Sequence, residues 1–186
     1  PAWAPIDAMI TRYDLTPTLA PALVLLYGAH LLGDRGVAPI DIAGAAGWPE
    51  ALGRGELADK RLATYEDSRV HLALAVRHAL DEMPPATGTL VGTPGVVSLL
   101  GPCTIVAAGP LAIVAEACVS SIGGAILAAG DGVDPRQLVT EARAYGAAPM
   151  VRVNVAVLNA MPVDQPIVLV TDDEYTADQL GLPRLT

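Results

Sequence analysis

The 186 residues are enough for one domain with a sizeable core, and more than half of them are apolar, with Phe absent and a formal charge of −9. With no cluster of Lys and Arg and no aromatic residues interleaved with basic ones, nucleic acid is excluded as an expected partner. The longest apolar run is interrupted by Pro94, Gly95, Gly101, Pro102, Gly109 and Pro110, so no membrane-spanning helix is expected, and a cytoplasmic protein is.

Residues 1–13 carry no decisive pattern. Asp14 or Thr16, with Pro17 in the first turn, predicts a helix through LAPALVLLYGAHLLGD that Gly33 and Gly36 end. A short helix follows over Pro39–Ala46, and residues 47–60 read as a loop or short helix. The spacing has a trace of a helix-turn-helix, but no basic recognition surface follows it. Asp67 or Ser68 then caps an expected helix through VHLALAVRHALDEM, which Pro84 and Pro85 stop. TGTLVGT, VVSLL and TIVAA read as strands, nearly continuous in apolar character, as in a sheet buried on both faces.

The stretch Gly101–Gly130, GPCTIVAAGPLAIVAEACVSSIGGAILAAG, holds one formal charge, Glu116. It reads as a buried strand turning sharply at Pro110 into an apolar helix that ends near Gly130. Ala112, Glu116, Ser120, Gly124 and Ala128 recur every four residues along it. Small side chains at that spacing predict a central helix approached closely on several sides. Asp134 and Pro135 open a further helix, PRQLVTEARAYG, with Gly146 as its stop. MVRVNVAVLN alternates as a strand should, PIVLVTD is a last short strand, and the tail from Asp172 is polar. The order fits a layered α/β domain with a mixed sheet.

Catalytic signatures are scarce. No G-x-S-x-G elbow, Walker loop or G-x-G-x-x-G occurs, and GTPGVV reads as a turn between strands. His71 and His78, seven apart on the expected helix, would lie about 10 Å apart along its axis, too far to share a metal. Cys103 and Cys118 read as small core residues rather than a disulfide framework. A free amine at Pro1 suggests a tautomerase base, but PAWAPIDAMI does not alternate as a strand. Glu116 has two readings. One is a general base or an anchor for a partner group. The other is a helix edge where it meets solvent or pairs with a residue such as Arg152, because an unpaired carboxylate in an apolar interior is costly. Arg152 and Asn154 read as polar positions on the less buried face of their strand.

Three segments resemble the β-ketoacyl synthase family. Residues 61–93, RLATYEDSRVHLALAVRHALDEMPPATGTLVGT, are similar to the helix that leads into a Gly-ended strand. Residues 101–130 resemble the strand, nucleophile elbow and helix of the synthase core. Gln165–Tyr175, QPIVLVTDDEY, is similar to a strand of the synthase-like proteins called chain-length factors. The resemblance covers roughly residues 61–175. It implies a synthase-like α/β domain over 61–186, and residues 1–60, which do not match the family, stand apart as an N-terminal helical segment. It also implies an α/β fold: a layered, thiolase-like half-domain with a mixed, largely buried sheet and a central apolar helix.

The departures are specific. An active synthase carries cysteine at the elbow, whereas the alignment puts Pro110 there; Cys103 lies before the elbow and Cys118 beyond it. The family's C-terminal histidines have no counterpart. The resemblance therefore implies no catalytic residue and no cofactor. It implies a chain-length-factor-like subunit paired with an active ketosynthase of a type II polyketide or aryl-polyene pathway, lining the acyl-chain tunnel. Glu116, Ser120 and Gly124 are its candidate interface or functional residues, and the partner, rather than this acidic chain, would meet the acyl carrier protein. Two other expectations stand beside it: a homo-oligomeric α/β enzyme or small-molecule binder, and a structural assembly protein of the virion type.

Overall fold

A computed structural model describes residues 4–95, 99, 101–160 and 166–185. About half of the chain is helical, and the residues form two compact units, Pro1–Met83 and Pro84–Thr186. The boundary expected at 60/61 falls inside the first unit. Pro1 lies outside the described residues, as does nearly all of the strand expected over VVSLL, 96–100.

The first unit is mostly helical: α1 (Ala4–Tyr13), a 3-10 turn (Pro17–Leu19), α2 (Ala20–Leu31), α3 (Pro39–Ala46), α4 (Trp48–Ala51) and α5 (Glu56–Asp59), then β1 (Ala63–Glu66), β2 (Arg69–Leu72) and α6 (Leu74–Leu80). Leu23, Leu26, Ile42, Leu57, Leu62 and Leu72 fill its core. Thr16 does not cap the helix ahead of it; its amide and hydroxyl donate instead to the Glu56 carboxylate. Glu50 is buried and accepts from the amides of Glu56 and Leu57, so a side chain supplies the partners that the start of α5 lacks.

The helix expected from Asp67 or Ser68 is instead a β-hairpin followed by a shorter helix. Asp67 and Ser68 are its two central turn residues, at φ +47° and +60°, and Glu66 faces Arg69 across the turn. Two consecutive left-handed residues give the turn whose twist matches an antiparallel pair. Val37 bridges Val70 on the other edge of β2. His71 therefore lies on a strand, with Nδ1 3.6 Å from Asp34, and His78 lies on α6. His30 meets Asp81 at 3.0 Å. Among the described residues no three His, Cys, Asp or Glu side chains gather to hold a metal.

The second unit is a mixed α/β layer structure. Its elements are β3 (Gly88–Val91), β4 (Cys103–Val106), α7 (Leu111–Ile122), β5 (Ala125–Ala129), α8 (Pro135–Tyr145), β6 (Ala147–Arg152), α9 (Val155–Ala160), β7 (Val168–Thr171) and α10 (Glu174–Leu180). The five-stranded sheet runs β3-β5-β6-β7-β4, with β3 antiparallel and the other four strands parallel. Ile126, Ala128, Ala148, Met150, Val168 and Val170, spaced by two along their strands, share a core cluster with Val114, Ala115, Cys118 and Ile122 of α7. The alternate residues Ala125, Leu127, Val151 and Leu169 are also buried, and α8 packs on β5 and β6. A sheet covered on both faces explains the nearly unbroken apolar runs.

Two expectations from the 101–160 region change. The apolar helix stops at Ile122, because Gly123 turns left-handed at φ +72° and its amide closes on the Val119 carbonyl. Ala125–Ala129 is then a sheet strand, so Gly124 and Ala128 do not continue a helical stripe. Nor is the helix packed all round: Ile113 is 62% exposed, and Glu116, Ala117 and Ser120 share its solvent side. Likewise MVRVNVAVLN is strand only to Arg152; Asn154 Oδ1 accepts from the Val157 amide and starts α9. No described helix is long and apolar enough to cross a membrane.

Candidate functional site

Parallel strands with helical crossovers leave their carboxyl ends facing a set of loops, and ligands of such sheets settle there. In the second unit the loops after β4, β5 and β6 enclose a crevice of about 480 Å³. Gly109, Pro110 and Leu111 form one side, Ala129–Val133 a second, and Val151–Asn154 with Val157 a third. Apolar strands deliver each loop to this edge. At the first, Gly109 at φ +100° makes the turn that lets Pro110 open α7.

Arg152 is the cation of the crevice. It is half-buried, and its guanidinium donates to the carbonyls of Ala107 at 3.4 Å and of Gly109. It thereby ties the end of β6 to the loop after β4, across β7 in the strand order. Among the described residues no carboxylate pairs with it. Asp131, in the Gly-Asp-Gly turn after β5, is an exposed carboxylate on the same crevice. Asn154 has its Oδ1 committed to the α9 amide, which leaves its amide nitrogen as a donor. Leu111, Val133, Val153 and Val157 supply the apolar lining.

Of the residues expected from sequence, Pro110 is brought to the crevice and the others are not. Pro110 stands at the cap position of α7 with extended backbone (φ −61°, ψ 137°) and offers no nucleophile. Glu116 projects into solvent beyond the first turn of α7 and does not line the crevice, nor does it meet Arg152. Ser120 is exposed in the last turn, and Gly124 lies in the link to β5. Cys103 and Cys118 are buried in the α7 core, and burial, with the neighbouring Cys118, pushes the Cys103 thiol up to about 11. Burial raises Cys118 as well. Both sulfurs stay protonated at neutral pH, the wrong state for a nucleophile.

Sequence reading missed Asp131 altogether; it placed Arg152 correctly on its strand but carried that strand too far, through Asn154. A signal was present. Each lies where an apolar strand gives way to a helix, in AILAAGDG and in MVRVN, and these are the loops that line such a crevice. Compared with known proteins, the chain matches no family model, no curated protein and no solved structure.

Proposed function

We propose that residues 84–186 form a ligand-binding α/β domain that takes a small anionic molecule in the crevice at the carboxyl ends of its parallel strands. Arg152 carries the proposal: a half-buried guanidinium, held by two backbone carbonyls and by no carboxylate among the described residues, on the wall of a cavity. A cation withdrawn from water costs free energy unless an opposite charge meets it. The carbonyls offset part of that cost, and an anion from solution supplies the rest. A hydrogen bond to a charged group contributes about 1.5–3 kcal/mol, so loss of Arg152 weakens an anion by roughly ten- to a hundredfold. The measurement is calorimetry and thermal melting with phosphate and short-chain carboxylates, on the native chain and on Arg152→Met. A ligand at about 100 times its Kd adds about 2.7 kcal/mol to stability, readily seen as a shift in melting temperature. Equal response of native and variant proteins, or no response to any anion, would sink the proposal.

A second reading keeps the chain-length-factor-like subunit, with its thiolase-like layering, acyl-chain tunnel and ketosynthase partner. It is supported by the resemblance over 61–175 and by the uncovered side of α7, where Ile113 stands 62% exposed beside Ala117 and Ser120. That side would lie against the synthase. Co-expression with a ketosynthase followed by size-exclusion chromatography tests it, with Ile113→Glu expected to dissociate the complex. Elution of the native chain apart from the synthase counts against this reading.

A further inference from the structure

Among the described residues, the crevice lining holds an anion as well as a cation. Asp131 lies in the turn after β5 and Arg152 is the last residue of the adjacent strand β6, and both line the same cavity. Among the described residues neither forms an ion pair, with the other or with any further group. Leu111, Val133, Val153 and Val157 add apolar surface to the same lining, and Asn154 adds a polar donor. One unpaired cation and one unpaired anion on the same crevice are complementary to a ligand that carries both charges. A ligand with a carboxylate alone would satisfy Arg152 and leave its own charge near Asp131. An amine alone would face the converse problem.

We infer that the crevice is built for a zwitterion with an apolar side chain, a free α-amino acid of the leucine or valine type. Its carboxylate meets Arg152, its ammonium meets Asp131, and its side chain rests on Leu111 and the three valines. The inference rests on the crevice reading above and narrows it to one class of ligand. A cavity of about 480 Å³ has room for such a molecule.

Three probes that differ by one group test it: L-leucine, 4-methylpentanoate, which lacks the amine, and 3-methylbutylamine, which lacks the carboxylate. Calorimetry on the full chain is expected to give leucine an affinity at least about tenfold above either of the others, since each charged hydrogen bond is worth that much. Asp131→Asn should weaken leucine and, with the repelling carboxylate gone, bind 4-methylpentanoate at least as well as the native chain does, so that the gap between the two ligands closes. Arg152→Met should abolish both. Circular dichroism of each variant separates loss of binding from loss of fold, and retained or strengthened binding of 4-methylpentanoate to Asp131→Asn shows that the crevice is still formed. If 4-methylpentanoate binds the native protein as well as leucine does, the zwitterion is wrong and the anion site stands. If Asp131→Asn weakens both ligands alike, Asp131 only shapes its loop and the inference falls. If neither leucine nor any simple anion binds, both readings fall together.

Discussion

Glu141 is the clearest case of one side chain holding separate segments. It is 5% exposed on α8, and its carboxylate accepts from the amides of Ala86 at 2.8 Å and Thr87 at 2.7 Å, and from the Thr87 hydroxyl. These bonds fix the approach to β3, the edge strand. Glu141→Ala strands two backbone donors in a site with little water, which is expected to cost about 3 kcal/mol. Glu141→Gln keeps one acceptor oxygen and should lose about half of that. Urea unfolding of the two variants checks the order; equal stabilities for native and Ala forms would show that the carboxylate carries no part of the fold. The notable contrast is with Glu116, the charge that stood out in the sequence. Rarity along the chain marked Glu116, whereas burial in space marks Glu141, and burial is set by the contacts that a linear reading lacks. In α8 the sequence pattern around Glu141 is that of an ordinary amphipathic helix.

Among the elements, ends decided what was legible. Pro39–Ala46 and the start of α8 agree with expectation because Pro at the first turn and Asp134 ahead of Pro135 have few other uses. Asp67-Ser68 failed because the same residues that cap helices also tolerate the left-handed turn of a hairpin. The run after Pro110 failed because Ala, Ile and Leu of AILAA suit a buried helix or a buried strand, and periodicity does not separate the two. The crevice inherited that error: with β5 read as helix, Asp131 had no strand end to sit on. Asp173 at the start of α10 offers a test of cap reading. Its carboxylate accepts from the Thr176 amide at 2.6 Å, and that bond holds it below the usual carboxylate range. A group whose folded pKa is depressed contributes stability above its unfolded value and loses it as pH falls through the folded one. Asp173→Asn, an amide cap, should therefore flatten the acid limb of the stability–pH curve while keeping most of the neutral-pH stability; Asp173→Ala should lose both. Thermal melts from pH 7 down to pH 2 read the difference, and three superimposable curves would refute the capping role.

For the molecule as a whole, the sequence indicated an α/β domain, and a mixed five-stranded sheet is present in the second unit. The division of the chain was less legible. The helix–strand wording of residues 61–83 looked like the entry to that sheet, yet the hairpin closes on Val37 and belongs with the helices before it. Pro84-Pro85, read only as a helix stop, marks the division. Each unit has its own buried set, with Ile126, Leu127, Leu138, Met150 and Ile167 filling the second. Residues 84–186 expressed alone are therefore expected to give a cooperative urea transition and dispersed amide resonances. A collapsed spectrum without a transition would mean that the first unit is required for the second to fold.

The placement of β4 has a consequence in time. It comes early in the second unit, yet β7 covers one of its edges. On the other, Thr104 donates its amide to the Pro183 carbonyl and accepts from the Leu185 amide. Thr104 and Pro183 are 79 residues apart. During synthesis, at about 5–20 residues per second, this strand emerges well before either neighbour exists. For those seconds Cys103 to Val106 is an apolar ribbon with both edges open, the kind of segment that recruits foreign strands. Val106 is followed by Ala-Ala-Gly-Pro, and Pro110 cannot donate to a growing sheet. Pro110, which opens α7 at the crevice, thus also limits how far an unwanted ladder can run.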